Sequence, residues 1–196
     1  MAKPGPSPVL WINGFPGTGK LTIARELARI YIPSILIDNH QLIDPVAARY
    51  SRDHPQYQIE RKRRREWAFE NFVWEPTRLS AVIFTDFQSD NELGTDTAQE
   101  YRDAAQKAGR PFIPVYLSCE IEANIMRATS AERAQGTTTK LTCPDTIKDL
   151  RTKCKLFQFG DPYEEFHIDT TNLAPREAAL MIRAHIEKCM STEKAN

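Results

Sequence analysis

The stretch from Val9 to Ile30, "VLWINGFPGTGKLTIARELARI", constrains the fold more than any other part of the chain. "VLWIN" (9–13) reads as a short buried strand that runs into a glycine-rich turn. Beyond the turn, Leu21, Ile23, Ala24, Leu27, Ala28 and Ile30 fall at helical spacing, and Pro33 closes that helix. Within the turn, Gly14, Gly19 and Lys20 match the spacing G-x-x-x-x-G-K-[ST], in the strand–turn–helix context that the pattern requires. Glycines there let backbone N–H groups turn inward around a phosphate, and the helix N-terminus adds partial positive charge. Lys20 supplies a mobile cation for the outer phosphates. Gly14, Phe15, Pro16, Gly17, Thr18, Gly19, Lys20, Leu21 and Thr22 are therefore the expected nucleotide-binding residues. A plain glycine-rich turn before a helix explains less, because it leaves the lysine and the full spacing unaccounted for.

The pattern breaks at one position. A hydroxyl just after the lysine binds magnesium in such loops, and here Leu21 stands there. Thr22 comes one residue late, turned by about 100 degrees on a helix. It is a candidate metal ligand that fits better as a contact to an inner phosphate. Magnesium binding is thus expected to rest on Asp86 and Asp38, phosphate oxygens and water.

The strand–helix alternation then repeats. "SILID" (34–38), "SAVIFTDF" (80–87), "FIPVYLS" (112–118) and "EFHIDTT" (165–171) read as strands. Helices are expected over 56–74, 92–108 and 120–131, from a start at Thr142, Cys143, Pro144 and Asp145 with a capping hydroxyl and an acid three residues later, and from Pro175 onward. "STEKAN" reads as a frayed tail. This predicts an α/β fold of three layers, a five-stranded mostly parallel sheet with helices on both faces. Ligands of such sheets gather at the carboxyl ends of the strands, which lines up the glycine loop, Asp38, Asp86, Ser118 and Asp169 along one edge. No internal repeat or domain-sized linker interrupts the 196 residues, so 1–196 reads as a single domain.

Twenty-six basic residues balance 26 acidic ones, which argues against a dedicated nucleic-acid binder without excluding a local basic face. "MAKPGPSP" has no apolar signal core, and no run is long enough to span a membrane, so a cytoplasmic location is expected. Cys119, Cys143, Cys154 and Cys189 form no C-x-x-C pair and read as free thiols; the four histidines lack metal-ligand spacing.

In "GFPGTGKLT", "ILID", "VIFTDF", "PVYLSCEIEANIMRATSAER" and "FHIDTTNLAPREAA", the chain resembles the small P-loop kinases. This is the adenylate-kinase-like group that includes shikimate kinase, gluconate kinase and chloramphenicol phosphotransferase. The resemblance implies a P-loop NTPase fold with a mobile lid, here about 127–145, and an acceptor segment at about 39–78. It also implies ATP and Mg2+ as cofactors. The loop variant with leucine after lysine also resembles small ATPases of unassigned role, so the resemblance does not carry a substrate over.

The implied roles follow the motifs. Asp38 matches the acid that contacts or deprotonates the acceptor hydroxyl; the alternative is a capping role before a turn. Asp86 resembles a Walker B acid that holds magnesium directly or through water, or is an ordinary strand-end aspartate. Arg127 and Arg133 match lid arginines, one against adenine and others on the transferring phosphoryl group, with Lys140 near the lid tip. Asn172 lies in a loop resembling the one beside adenine. Within the basic run Arg61 to Arg65, Arg61, Arg64 and Arg65 are candidate acceptor contacts, with His40 and Asp44 near the same pocket; a solvated helix face or a packing role is the other reading.

The expected function is an ATP-dependent phosphotransferase moving the γ-phosphoryl group to an unidentified small molecule, with Lys20, Asp38 and Arg133 as catalytic residues. The alternative is an ATP-binding protein or weak ATPase with a regulatory role. A guanine-specific element is missing, which disfavours a GTPase. A motor ATPase of the AAA type needs a glutamate beside the Walker B acid, where Phe87 stands.

Overall fold

The computed structural model describes residues 6–74, 79–130 and 141–192. Five strands, β1 (Val9–Gly14), β2 (Ser34–Asp38), β3 (Ala81–Asp86), β4 (Phe112–Ser118) and β5 (Phe166–Asp169), form one sheet in the order β2-β3-β1-β4-β5. Every pairing is parallel. The α-helices among the described residues are α1 (Lys20–Ile30), α2 (Asn39–Ala47), α3 (Gln56–Ala68), α4 (Glu92–Lys107), α5 (Ile121–Ala128), α6 (Pro144–Lys153) and α7 (Pro175–Thr192). Among the described residues, no helix is long and apolar enough to cross a membrane.

Two apolar layers enclose the sheet, which explains why β1 and β3 are apolar runs without alternation. On one face, Leu10, Ile12, Ile83, Val115 and Leu117 pack on α1 and α7 through Ile23, Leu27, Ile182 and Ile186. On the other, Trp11, Phe84 and Tyr116 meet Phe69, Ala98, Tyr101 and Phe157. Trp11 is the hub of this layer, within 6.4 Å of the rings of Tyr101, Tyr116, Phe157 and Phe159. Each fully buried side chain of this size stabilises the fold by about 1.5–3 kcal/mol. At the amino ends of the strands, buried Arg110 donates to the carbonyls of Ser7, Pro8, Phe72, Val73 and Ser80. It ties the start of β1 to the start of β3, and burial lowers its pKa.

Four local expectations need correction. Residues 39–47, read from the sequence only as a polar, proline-punctuated stretch, form a helix although Pro45 lies inside it, because Asp38 and Gln41 form a capping box that starts α2. Helix α3 ends at Ala68 and passes into a π-turn over Phe69–Val73. That turn swings Phe69 and Val73 into the core. Cys143, not Thr142, caps α6. Ser191 and Thr192 still belong to α7.

Candidate active site

Gly14 ends β1 in register with Leu117 of β4, and Asp86 ends β3 beside Asn13. The glycine loop therefore opens at the carboxyl edge, flanked by β3 and β4. Gly17 and Gly19 take positive φ of 94° and 89°, backbone that favours glycine. A Cβ on Gly17 would collide with Asn124 Nδ2 and lie 2.9 Å from the Asn124 carbonyl oxygen. Asn124 of α5 fixes this approach by donating to Pro16 O at 2.7 Å. Thr170, just past β5, donates to Thr18 O at 3.1 Å. Lys20 Nζ arches back over the loop and donates to Gly14 O at 2.6 Å and Phe15 O at 2.9 Å. Phe15 packs against Phe87, and Arg151 of α6 lies over the Phe15 ring.

The loop floors a cleft of about 880 Å³. Residues Pro16 to Thr22 line it, and so do Asp38, His40, Arg61, Arg65, Asp86 and Arg127. Gly14 and Phe15 lie beneath, contributing carbonyls to Lys20. Leu21 also lines a shallow cavity behind the cleft, shared with Arg25, Asp38, His40 and Asp44. Thr22 is exposed on the cleft wall.

Asp38 caps α2, and its Oδ1 accepts the Thr85 hydroxyl at 3.0 Å. The capping alternative is thus realised, while one side of the residue still lines the cleft. Asp86 is fully buried; Oδ1 accepts from Asn39 Nδ2 at 2.5 Å and Phe87 N at 2.8 Å, and Oδ2 from Gln88 Nε2 at 2.8 Å. Arg127 donates to Thr170 O and Thr171 O, which anchors α5 to the loop after β5. His40 Nδ1 lies 3.3 Å from Asp44 Oδ1, one helical turn on.

Other expected contacts are not brought to the cleft. Arg64 lies instead in a separate groove with Pro45, Tyr50 and Trp67, because its position on α3 turns away from β3. Asn172 is exposed and is not among the residues lining the cleft. Arg65 reaches the wall, but Glu100 of α4 takes its guanidinium at 2.6 and 3.2 Å. Arg133 and Lys140, and most of the lid expected at 127–145, lie outside the described residues.

Several contributors carry no local sequence signal. Asn13 uses its whole buried amide: Oδ1 accepts from Gly14 N and Gln88 N, and Nδ2 donates to Gln88 O and Phe157 O. It pins the loop after β3 to the glycine loop. Asn39, Asn124, Arg151 and Thr170 likewise act across long chain separations.

The fit to magnesium can be judged from the oxygen donors. Among the described residues, no group of three or more His, Cys, Asp or Glu side chains could hold a metal ion. Mg2+ is commonly held by one or two carboxylates, waters and substrate phosphates, without an all-protein cage. Asp86 and Asp38 beside a phosphate loop fit that arrangement; Leu21 adds no oxygen to it. Three hydrogen bonds already fall on Asp86, so little of its acceptor capacity remains for direct ligation.

No protein-family model matches the sequence, and no curated protein is significantly similar to it. Solved structures do match it in fold. The tunicamycin resistance protein of Deinococcus radiodurans is 19% identical, covering 92% of this chain and 95% of that one, with a TM-score of 0.56. A gluconokinase from Sinorhizobium meliloti is 16% identical over 96% of both chains, with a TM-score of 0.62. Shikimate kinase from Acinetobacter baumannii, determined with shikimate, is 17% identical over 93% of this chain and 94% of that one, with a TM-score of 0.56. The chain thus has the three-layer α/β fold of the small P-loop kinases. The AAA-type reading gains no support from these matches.

Proposed function

We propose that this protein is a kinase that transfers the γ-phosphoryl group of ATP to a small-molecule acceptor, working as a soluble cytoplasmic enzyme. The observation that carries the reading is the shared cleft: a lysine-bearing phosphate loop, two strand-end acids and an arginine from the β2–β3 segment all line it. A water-activating ATPase has no need of arginines from the segment between β2 and β3, such as Arg52 and Arg61, in its cleft. The kinase fold of the matching structures supports the same conclusion.

In this reading the loop N–H groups and Lys20 hold the β- and γ-phosphates. Bound Mg2+ would neutralise phosphate charge, with Asp86 and Asp38 as the residues that hold it through water. Asp38 is the base that accepts the acceptor's hydroxyl proton, Arg127 contacts the nucleotide, and Arg133 is the lid arginine. His40 and Arg61 face the acceptor.

The test is ATP consumption with and without a metabolite mixture. Stimulation by one acceptor, with a product heavier by one phosphoryl group, is expected. Asp38→Asn is expected to keep ATP binding and lose transfer. Tight ATP binding with no turnover on any acceptor would favour a binding protein instead.

A further inference from the structure

The cleft holds two carboxylates, Asp38 and Asp86, close to where a polyanionic nucleotide would lie. Uncompensated, they would repel it. Several cleft-lining arginines, Arg25, Arg52, Arg61 and Arg127, have no salt bridge to a carboxylate among the described residues, and of these Arg61 is the one hydrogen-bonded toward Asp86 through an intervening amide. Its neighbour Arg65 has Glu100. Arg61 Nη2 instead donates to a neutral amide, Asn39 Oδ1, at 3.3 Å, its guanidinium lies over the Tyr57 ring, and its Nε is buried with no hydrogen-bond partner among the described residues.

Asn39 passes this charge on. Its Nδ2 donates to Asp86 Oδ1 at 2.5 Å, and its backbone N–H reaches Thr85 Oγ1 at 3.4 Å, the hydroxyl that donates to Asp38. A carboxylate can only accept and a guanidinium can only donate, so the two partners dictate the orientation of the amide. A chain of polarised bonds thus runs from Arg61 through Asn39 to Asp86.

We propose that Asn39 is a positioning residue that couples the acceptor side of the cleft to the acid on the phosphate side. It holds the Asp86 carboxylate in one rotamer and lends it part of the Arg61 charge. An acceptor that draws Arg61 away from Asn39 leaves Asp86 more negative, and so better able to hold a cation carried by the nucleotide. Occupancy of one side thereby tunes the other. The inference rests on the kinase reading, but its test does not depend on turnover.

The test is calorimetric titration with a non-hydrolysable ATP analogue, once with chelator and once with saturating Mg2+. The ratio of the two affinities is the magnesium gain. Asn39→Ala is expected to reduce the gain about fivefold, as loss of a charge-assisted bond would. Arg61→Gln, which withdraws the charge that Asn39 passes on, is expected to raise the gain in the wild-type background and to change it no further in the Asn39→Ala background, where the relay is already cut; a lowered gain in the wild-type background would count against the relay. An unchanged gain in Asn39→Ala, or independent and multiplying effects of the two substitutions, would overturn the proposal. So would a wild-type protein that binds the analogue equally with and without Mg2+. If the wild-type protein binds no analogue at all, the kinase reading itself falls. Should Asn39→Ala fail to fold, Asn39→Ser removes both contacts and keeps a residue suited to a helix start. A lowered melting temperature with an unaltered gain would mark a merely structural role.

Discussion

Arg65 and Glu100 face each other as a two-point ion pair, Nε to Oε2 at 2.6 Å and Nη2 to Oε1 at 3.2 Å, with only 5% of the arginine side chain exposed. It joins α3 to α4. Burial alone would lower the Arg65 pKa, but the bond to Glu100 and nearby negative groups more than offset this and raise it. Glu100→Gln leaves the guanidinium buried without its countercharge and is expected to cost about 3–5 kcal/mol of stability. Urea unfolding at neutral pH measures it. A loss below 1 kcal/mol would show that water reaches the arginine freely.

Gly17 meets Asn124 too closely for any side chain. With its positive φ and the collision described above, Gly17→Ala must open the loop or displace α5. Left-handed backbone alone costs a non-glycine residue about 1–2 kcal/mol. ATP affinity is expected to fall at least tenfold, read by titration with the nucleotide. Asn124→Ala, which removes the bond to Pro16 O, is expected to weaken binding in the same direction by a smaller factor.

Leu21 stands beside Asp38 at the cleft wall, where it contributes carbon in place of oxygen. Leu21→Ser is expected to strengthen the dependence of nucleotide affinity on Mg2+ about threefold to tenfold by adding a hard oxygen ligand. It is also expected to cost about 1 kcal/mol of stability through lost apolar burial. Unchanged magnesium affinity and turnover would show that Leu21 is not what limits metal binding.

Glu165 links stability to pH. Burial would raise its pKa, but the Tyr116 hydroxyl at 2.7 Å, His167 and the backbone N–H groups of Gly160 and Phe159 together lower it. A depressed folded-state pKa means that this stabilisation is present above the unfolded carboxylate value, about 4.3, and is lost as pH falls through the folded value. Melting temperatures taken from pH 6 down to pH 3 are expected to decline, and Glu165→Gln to flatten that decline. Identical slopes would remove Glu165 from the acid response.

The strands were readable because their burial is continuous: "VLWIN" and "AVIF" are apolar at nearly every position, as a sheet covered on both faces demands. The glycine-rich turn between β1 and α1 was readable because its glycines act locally. Helix α2 was hidden by Pro45, although Asp38 and Gln41 had the spacing of a capping box all along. The basic run misled in another way. Arg61, Arg64 and Arg65 look alike in sequence, yet a step of about 100 degrees per residue around α3 sends them to a cleft, an outer groove and a buried acid. Asn13, Asn39 and Asn124 were illegible because an amide gains its meaning only from partners tens of residues away.

The central position of β1 has a consequence in time. The strand is buried over its whole length and bonded on both sides, to β3 and to β4. Its amide protons are expected to exchange with solvent last, through global opening alone. The phosphate loop hangs from this slowest part of the molecule, while the β2–β3 segment hangs from an edge strand with one neighbour. A ligand of that loop would thus meet the part of the sheet expected to open last.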